Sequence, residues 1–178
     1  MKRIVFSLII ASLLALTGCS SELSLQRYFV DHQEEPNFIS QDVPVSMVEI
    51  DKTNFTDAQL EAYKSIRRLN FLGFKVDDSN LERYEAEVAK VKAILQQGKY
   101  EDLMEFSDKG RRILIKFIGD EEEADEVIVF GNAKDMGFAV VRILGSGMSP
   151  EKIITLADAL KQTSVDESQL EDMLNFFK

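Results

Sequence analysis

The chain has a single cysteine, Cys19, and a single histidine, His32, among 178 residues. One cysteine has no partner within the chain, so an internal disulfide framework is excluded. A Ser-His-Asp or Cys-His arrangement would have to recruit His32 from a polar N-terminal stretch, where a solvated linker residue is the expected role. Basic residues are also scarce, with 21 Lys plus Arg against 31 Asp plus Glu and a net charge of −10. Phosphate backbones are bound mainly by Lys and Arg clusters, so this balance argues against nucleic acid and against extensive direct contact with anionic lipid. Long apolar runs are missing too. The longest covers residues 4–16, broken only by Ser7 and Ser12, and falls short of the roughly 20 residues that cross a bilayer as a helix.

What that run does have is context. Lys2 and Arg3 precede it and Leu16-Thr17-Gly18-Cys19 ends it, the layout of a secretory signal closing on a bacterial lipobox. In proteins with this motif the Cys19 sulfur receives a diacylglyceryl group, a peptidase cuts between Gly18 and Cys19, and the new amino terminus is usually acylated. Two or three acyl chains, at about 0.8 kcal/mol per buried methylene, hold a protein to a membrane almost permanently. Loss of residues 1–18 would also remove Lys2 and Arg3, leaving a net charge of −12 on 160 residues, a length suited to one domain.

The remaining chain divides by composition and period. Residues 19–42 are mostly polar and include Pro36, which predicts a lipidated N-terminus and a flexible tether, with Tyr28, Phe29, Phe38 and Ile39 available to dock part of it. A domain is expected over 43–162, opening with a strand at 43–50. Thr56 and Gln59 form a capping box that starts a helix of about 12 residues, and a second strand follows at 69–76. Leu81, Tyr84, Val88, Val91 and Leu95 recur at steps of three and four, the stripe of an amphipathic helix ending at Gly98. Glu82, Arg83, Glu87, Lys90 and Lys92 are assigned to its solvent face. A short helix is expected over 100–107.

Three apolar runs at 112–118, 126–130 and 138–144 are separated by connections too short for parallel crossovers, so they read as antiparallel strands. Ser149-Pro150 starts a further helix. Ser164 and Glu167 cap a C-terminal amphipathic helix over 163–178, with Leu170, Met173, Leu174 and Phe177 on one side. Met173, Phe176 and Phe177 either complete the core or form an interaction face. The whole predicts an α+β fold: one domain, a largely antiparallel sheet of about five strands, and helices packed on it.

The segments "GKYEDLMEFSDKG", "RRILIKFIG", "EVIVFGNAKDMGFAVVRILG" and "SPEKIITLADALK", in this order behind a lipobox signal, resemble the domain of unknown function 4252 family of small Bacteroidota envelope lipoproteins. The likeness covers 45–161. It implies an exported, often lipid-anchored α+β domain, with a hint of envelope signalling, and carries no functional residue over.

Catalytic motifs are not visible. "LGSGMS" at 144–149 lacks the patterns of a nucleophile elbow or a phosphate loop, so Gly145 and Gly147 are expected to make a tight turn. "GDEEEADE" at 119–126 lacks the ligand spacing of a calcium loop and reads as a solvated acidic turn. Glu82 with Glu85, and Glu101 with Glu105, are expected to be surface acids at helical spacing. No cofactor or metal is called for. The sequence thus points to a lipid-anchored, non-enzymatic binding module with an envelope protein as partner. Ser20 after Cys19 is compatible with the outer membrane, and Glu22 alone after it favours the periplasmic side. A hydrolase or lyase with a carboxylate-only site is the alternative.

Overall fold

In the computed structural model, residues 23–48, 50–108, 110–120, 122–160 and 175–177 are described. Ser24 opens the first helix by accepting a hydrogen bond from Arg27 N at 3.2 Å. This helix, α1 (Leu25–His32), turns Leu25, Tyr28, Phe29 and His32 inward, at the steps of three and four that define a helical face. Strand β1 (Phe38–Pro44) follows, and a short 3-10 turn over Val45–Met47 leads on from it. Most of the stretch expected to be a tether is therefore part of the domain. The strand expected at 43–50 lies earlier, at 38–44.

Helix α2 (Asp57–Ser65) starts at the anticipated capping box, with both reciprocal Thr56–Gln59 bonds present. It runs nine residues and passes directly into β2 (Ile66–Lys75). Helix α3 (Leu81–Leu95) buries Tyr84, Val88, Val91 and Leu95, as the stripe predicts, and Ile94 as well, while Leu81 at its start is exposed. Glu87, assigned to the solvent face, is buried.

The segment expected to be a short helix over 100–107 is instead β3 (Glu101–Asp108). Its residues include good helix formers, but pairing with β4 (Arg111–Gly119) decides the outcome. Gly110, at φ +83°, sits in the hairpin between them. Strands β5 (Ala124–Ala133) and β6 (Gly137–Met148) form the next hairpin, and α4 (Pro150–Leu160) closes the described fold. Lys152 N donates to Ser149 Oγ at α4's start.

All neighbouring strands are antiparallel, in the order β1-β2-β6-β5-β4-β3. The sheet has six strands where about five were expected, because 38–44 and 101–108 join it. The domain is α+β, as expected, and its helices cover both faces. One core lies between the sheet and α1 with α3, built on Leu25, Leu72, Phe74, Ile94, Phe130 and Phe138. The other lies under α2 and α4, with Ala62, Phe117, Val127, Met148, Ile153 and Leu156.

The expected turn at Gly145 and Gly147 is the end of β6. Gly145 crosses beneath the α2–β2 junction, where a Cβ would come within 2.0 Å of Ser65 O, so only glycine fits. The proposed lipid site, Gly18 and Cys19, and the segment 163–174 lie outside the described residues.

Candidate interaction face

Directly opposed residues of antiparallel strands share a sheet face, so the register shows what each face presents. On the face that carries α2 and α4, one row crosses all six strands as Phe106, Ile113, Gly131, Ala139, Gly73 and Ile39. Its middle three residues carry a methyl group or nothing, whereas the next row toward the helices holds Ile115, Val129, Val141 and Phe71. The result is a trough bordered by large side chains on the helix side and by Ala133 and Gly137 on the other. Among the described residues a Cβ at Gly131 would meet only Ile113 Cγ1, at 3.9 Å.

Phe177 enters this trough. Its ring stands edge-on to Phe71 at 6.5 Å between centroids, and a Cβ on Gly73 would approach its Cζ to 2.9 Å. Phe176 stacks edge-on against Phe177 at 5.1 Å. Beside Phe177 is a cavity of about 220 Å³, lined by Ile113, Gly131, Ala133, Met136 and Ala139, with Arg111 at its rim. Phe106, Ile113 and Met136 remain 46%, 42% and 38% exposed. Of the residues named for a possible interaction face, Phe177 packs in this trough with Phe176 against it, and Met173 lies outside the described residues.

The opposite face holds a polar cluster that the sequence reading missed. His32, expected to be a solvated linker residue, is buried between α1, β1 and α3. Its Nδ1 lies 2.8 Å from Tyr28 O, an acceptor only, so Nδ1 carries a proton. Its Nε2 is 3.3 Å from Glu87 Oε2. The same carboxylate accepts from Tyr28 Oη at 2.8 Å and from Lys90 Nζ at 2.7 Å. Burial acts against the Glu87 anion, but the bonds from Lys90 and Tyr28 outweigh it and hold its pKa below the ordinary range. Burial, then the Glu87 bond and charge, push the Tyr28 phenol far up. Nearby, Arg142 makes a two-pronged bond to Glu126 at 2.6 and 2.9 Å, and Arg83 pairs with Glu35. The spacing of Leu25, Tyr28, Phe29 and His32 is the sequence signal that marked this buried face.

These groups are engaged in holding α1 to α3 and to the sheet. A carboxylate acting as general acid near neutrality needs a raised pKa, yet those that shift, Asp51, Glu61, Asp77, Glu87 and Asp120, all shift downward. Glu101, Asp102 and Glu151 line a wider cavity of about 460 Å³ between β3 and α4. Asp102 is mostly exposed there and pairs with Lys116 at 2.9 Å. Glu105 lies on β3 and pairs with Arg112 at 2.6 Å. In the acidic connection Asp120 Oδ1 accepts from Glu122 N and Glu123 N at 2.9 and 2.8 Å, a self-contained turn. Among the described residues no three His, Cys, Asp or Glu side chains converge on a metal-sized site, and no helix is long and apolar enough to cross a membrane.

A family model described as a domain of unknown function (DUF4252) matches residues 28–156. The match begins within α1, upstream of the 45–161 segment that carries the resemblance in the sequence. No curated protein and no solved structure matches the chain.

Proposed function

We propose that this chain, which belongs to the DUF4252 family, is a lipid-anchored envelope protein whose domain binds another envelope protein without catalysing a reaction. The observation that carries the anchor is Leu16-Thr17-Gly18-Cys19 at the end of a short apolar run headed by Lys2 and Arg3. The fold adds a geometric consequence. Helix α1 starts at Leu25, so the link from Cys19 spans at most about 20 Å when fully extended. A domain so tied works at the membrane surface, not on a long stalk, and its net negative charge keeps it from lying flat on anionic lipid. In this reading the anchor sits in the outer membrane with the domain on the periplasmic side.

The partner-binding surface is the trough rim with Phe106, Ile113, Met136 and Phe177. Exposed apolar side chains grouped on one face are the usual mark of a protein contact, and the engaged or downshifted carboxylates weigh against a carboxylate-only enzyme. The anchor is tested by palmitate labelling and membrane fractionation of the Cys19→Ala chain. We expect labelling to vanish and the protein to leave the membrane fraction; retention after a high-salt wash contradicts the reading.

A further inference from the structure

We infer that the cleft between the end of α3 and strand β4 binds a phosphate group carried at the head of a larger, partly apolar molecule. The cleft encloses about 120 Å³, with Lys92, Arg112 and Lys116 set around Leu95, Leu114 and Phe130. Lys92 and Leu95, three residues apart, are neighbours on one side of α3. Arg112, Leu114 and Lys116 alternate along β4, so they share the sheet face that carries Phe130 and α3. Among the described residues no carboxylate lines the cleft, although acids outnumber bases by 31 to 21 in the chain.

The three cations are only partly neutralised. Lys116 is buried and its Nζ lies 2.9 Å from both Tyr100 O and Asp102 Oδ1. Arg112 pairs with Glu105 at 2.6 Å. Both carboxylates belong to the edge strand β3, and their side chains are 76% and 47% exposed. Lys92 has no side-chain partner among the described residues. Surplus positive charge therefore faces the cleft, and like charges in a partly buried place repel more strongly than they do in water. A bound phosphate offsets that repulsion and takes donors of Lys92 and Arg112, the charge-assisted bonds that both groups favour. Size decides how the ligand enters. The cleft falls below the roughly 300 Å³ that houses a whole small molecule, so the phosphate goes in and the apolar remainder meets Leu95, Leu114 and Phe130 at the mouth.

Position favours a membrane lipid as the source. Gln96 lines the cleft, and the next residue, Gln97, donates through Nε2 to Leu23 O at 2.6 Å. The chain thus enters the domain beside the cleft, at most about 14 Å of extended chain from Cys19. On the anchor reading, on which this step alone rests, the cleft opens near the bilayer surface and its ligand is a phospholipid headgroup. The acidic surface elsewhere is screened beyond about 8 Å at physiological salt, so a contact at this one end is open where a flat one is not.

The Cys19→Ala chain, which can carry no acyl group, tests the cleft separately from the anchor. It is titrated with a water-soluble short-chain phosphatidylglycerol below its micelle concentration and, in parallel, with inorganic phosphate, while amide shifts are followed by NMR. Saturable shifts at Gln96, Arg112 and Lys116 are expected with the lipid. Lys92→Glu and Arg112→Gln are each expected to weaken its binding at least about tenfold, the loss of a charge-assisted bond. Lys64→Glu, the same charge change on α2 across the sheet, should alter it less than about twofold, because distant exposed charges are screened. Inorganic phosphate should bind more weakly, since it has no apolar part to bury. Equal binding of inorganic phosphate would make this a free-phosphate site and overturn the headgroup assignment. Saturation by neither ligand, or an equal loss in Lys64→Glu, overturns the inference whatever palmitate labelling of the parent shows.

Discussion

Glu87 shows how much a single carboxylate does in this fold. It joins α1 to α3 through Tyr28 and His32, while Lys90, one turn along α3, bonds its other oxygen. Because its pKa is lowered on folding, its contribution to stability is complete above the ordinary value of 4.5 and fades as pH falls through the lower folded value. Urea titrations of the parent at pH 7 and pH 3 should therefore differ by more than those of Glu87→Gln. At pH 7 the variant is expected to lose about 2 kcal/mol, the usual worth of hydrogen bonds to a buried charged group. Gly145 makes the opposite kind of demand. A Cβ there has no space beneath Ser65 O, so Gly145→Ala is expected to cost at least about 2 kcal/mol in the same titration, by forcing the α2–β2 junction apart. Neither role could be read from the sequence, since both depend on what the topology brings across from distant positions.

At the scale of elements, α1 is where the sequence was informative and the reading fell short. Leu25, Tyr28, Phe29 and His32 have helical spacing, but the helix has only eight residues and a histidine occupies its inner face. Composition therefore argued for a linker. β1 offered a weaker signal, because "FISQDVP" lacks clean alternation and is a strand by virtue of pairing with β2. β3 fails for a related reason: its helix-forming residues are overruled by pairing with β4. The long α3 stripe, the Thr56 capping box and the three apolar runs were legible because period and local capping alone specify them. The packed α1 makes a testable difference. Phe29→Ala is expected to destabilise the domain by about 3 kcal/mol, the cost of an emptied core site, as measured by urea unfolding. A tether residue would show no loss.

For the whole molecule, the division of the sheet into two unequal faces organises the rest. One face is roofed by α1 and α3 and holds the Tyr28–Glu87 and Arg142–Glu126 bonds. The other is roofed by α2 and α4 over one half, and over its second half presents the trough with Phe177. The six-stranded α+β architecture was legible in outline from sequence. The trough was not, because Gly73, Gly131 and Ala139 are unremarkable until the register aligns them. A short link from Cys19 to α1 would hold this half-open sheet near the membrane, within reach of neighbouring envelope proteins. The most direct test places a photo-activated cross-linker in intact cells at Ile113 or Met136, and for comparison at Glu85 on the solvent side of α3. The account predicts one discrete conjugate from the two rim positions and none from Glu85, lost when Cys19→Ala removes the anchor. Equal conjugation from all three positions, or none from the rim, would contradict it.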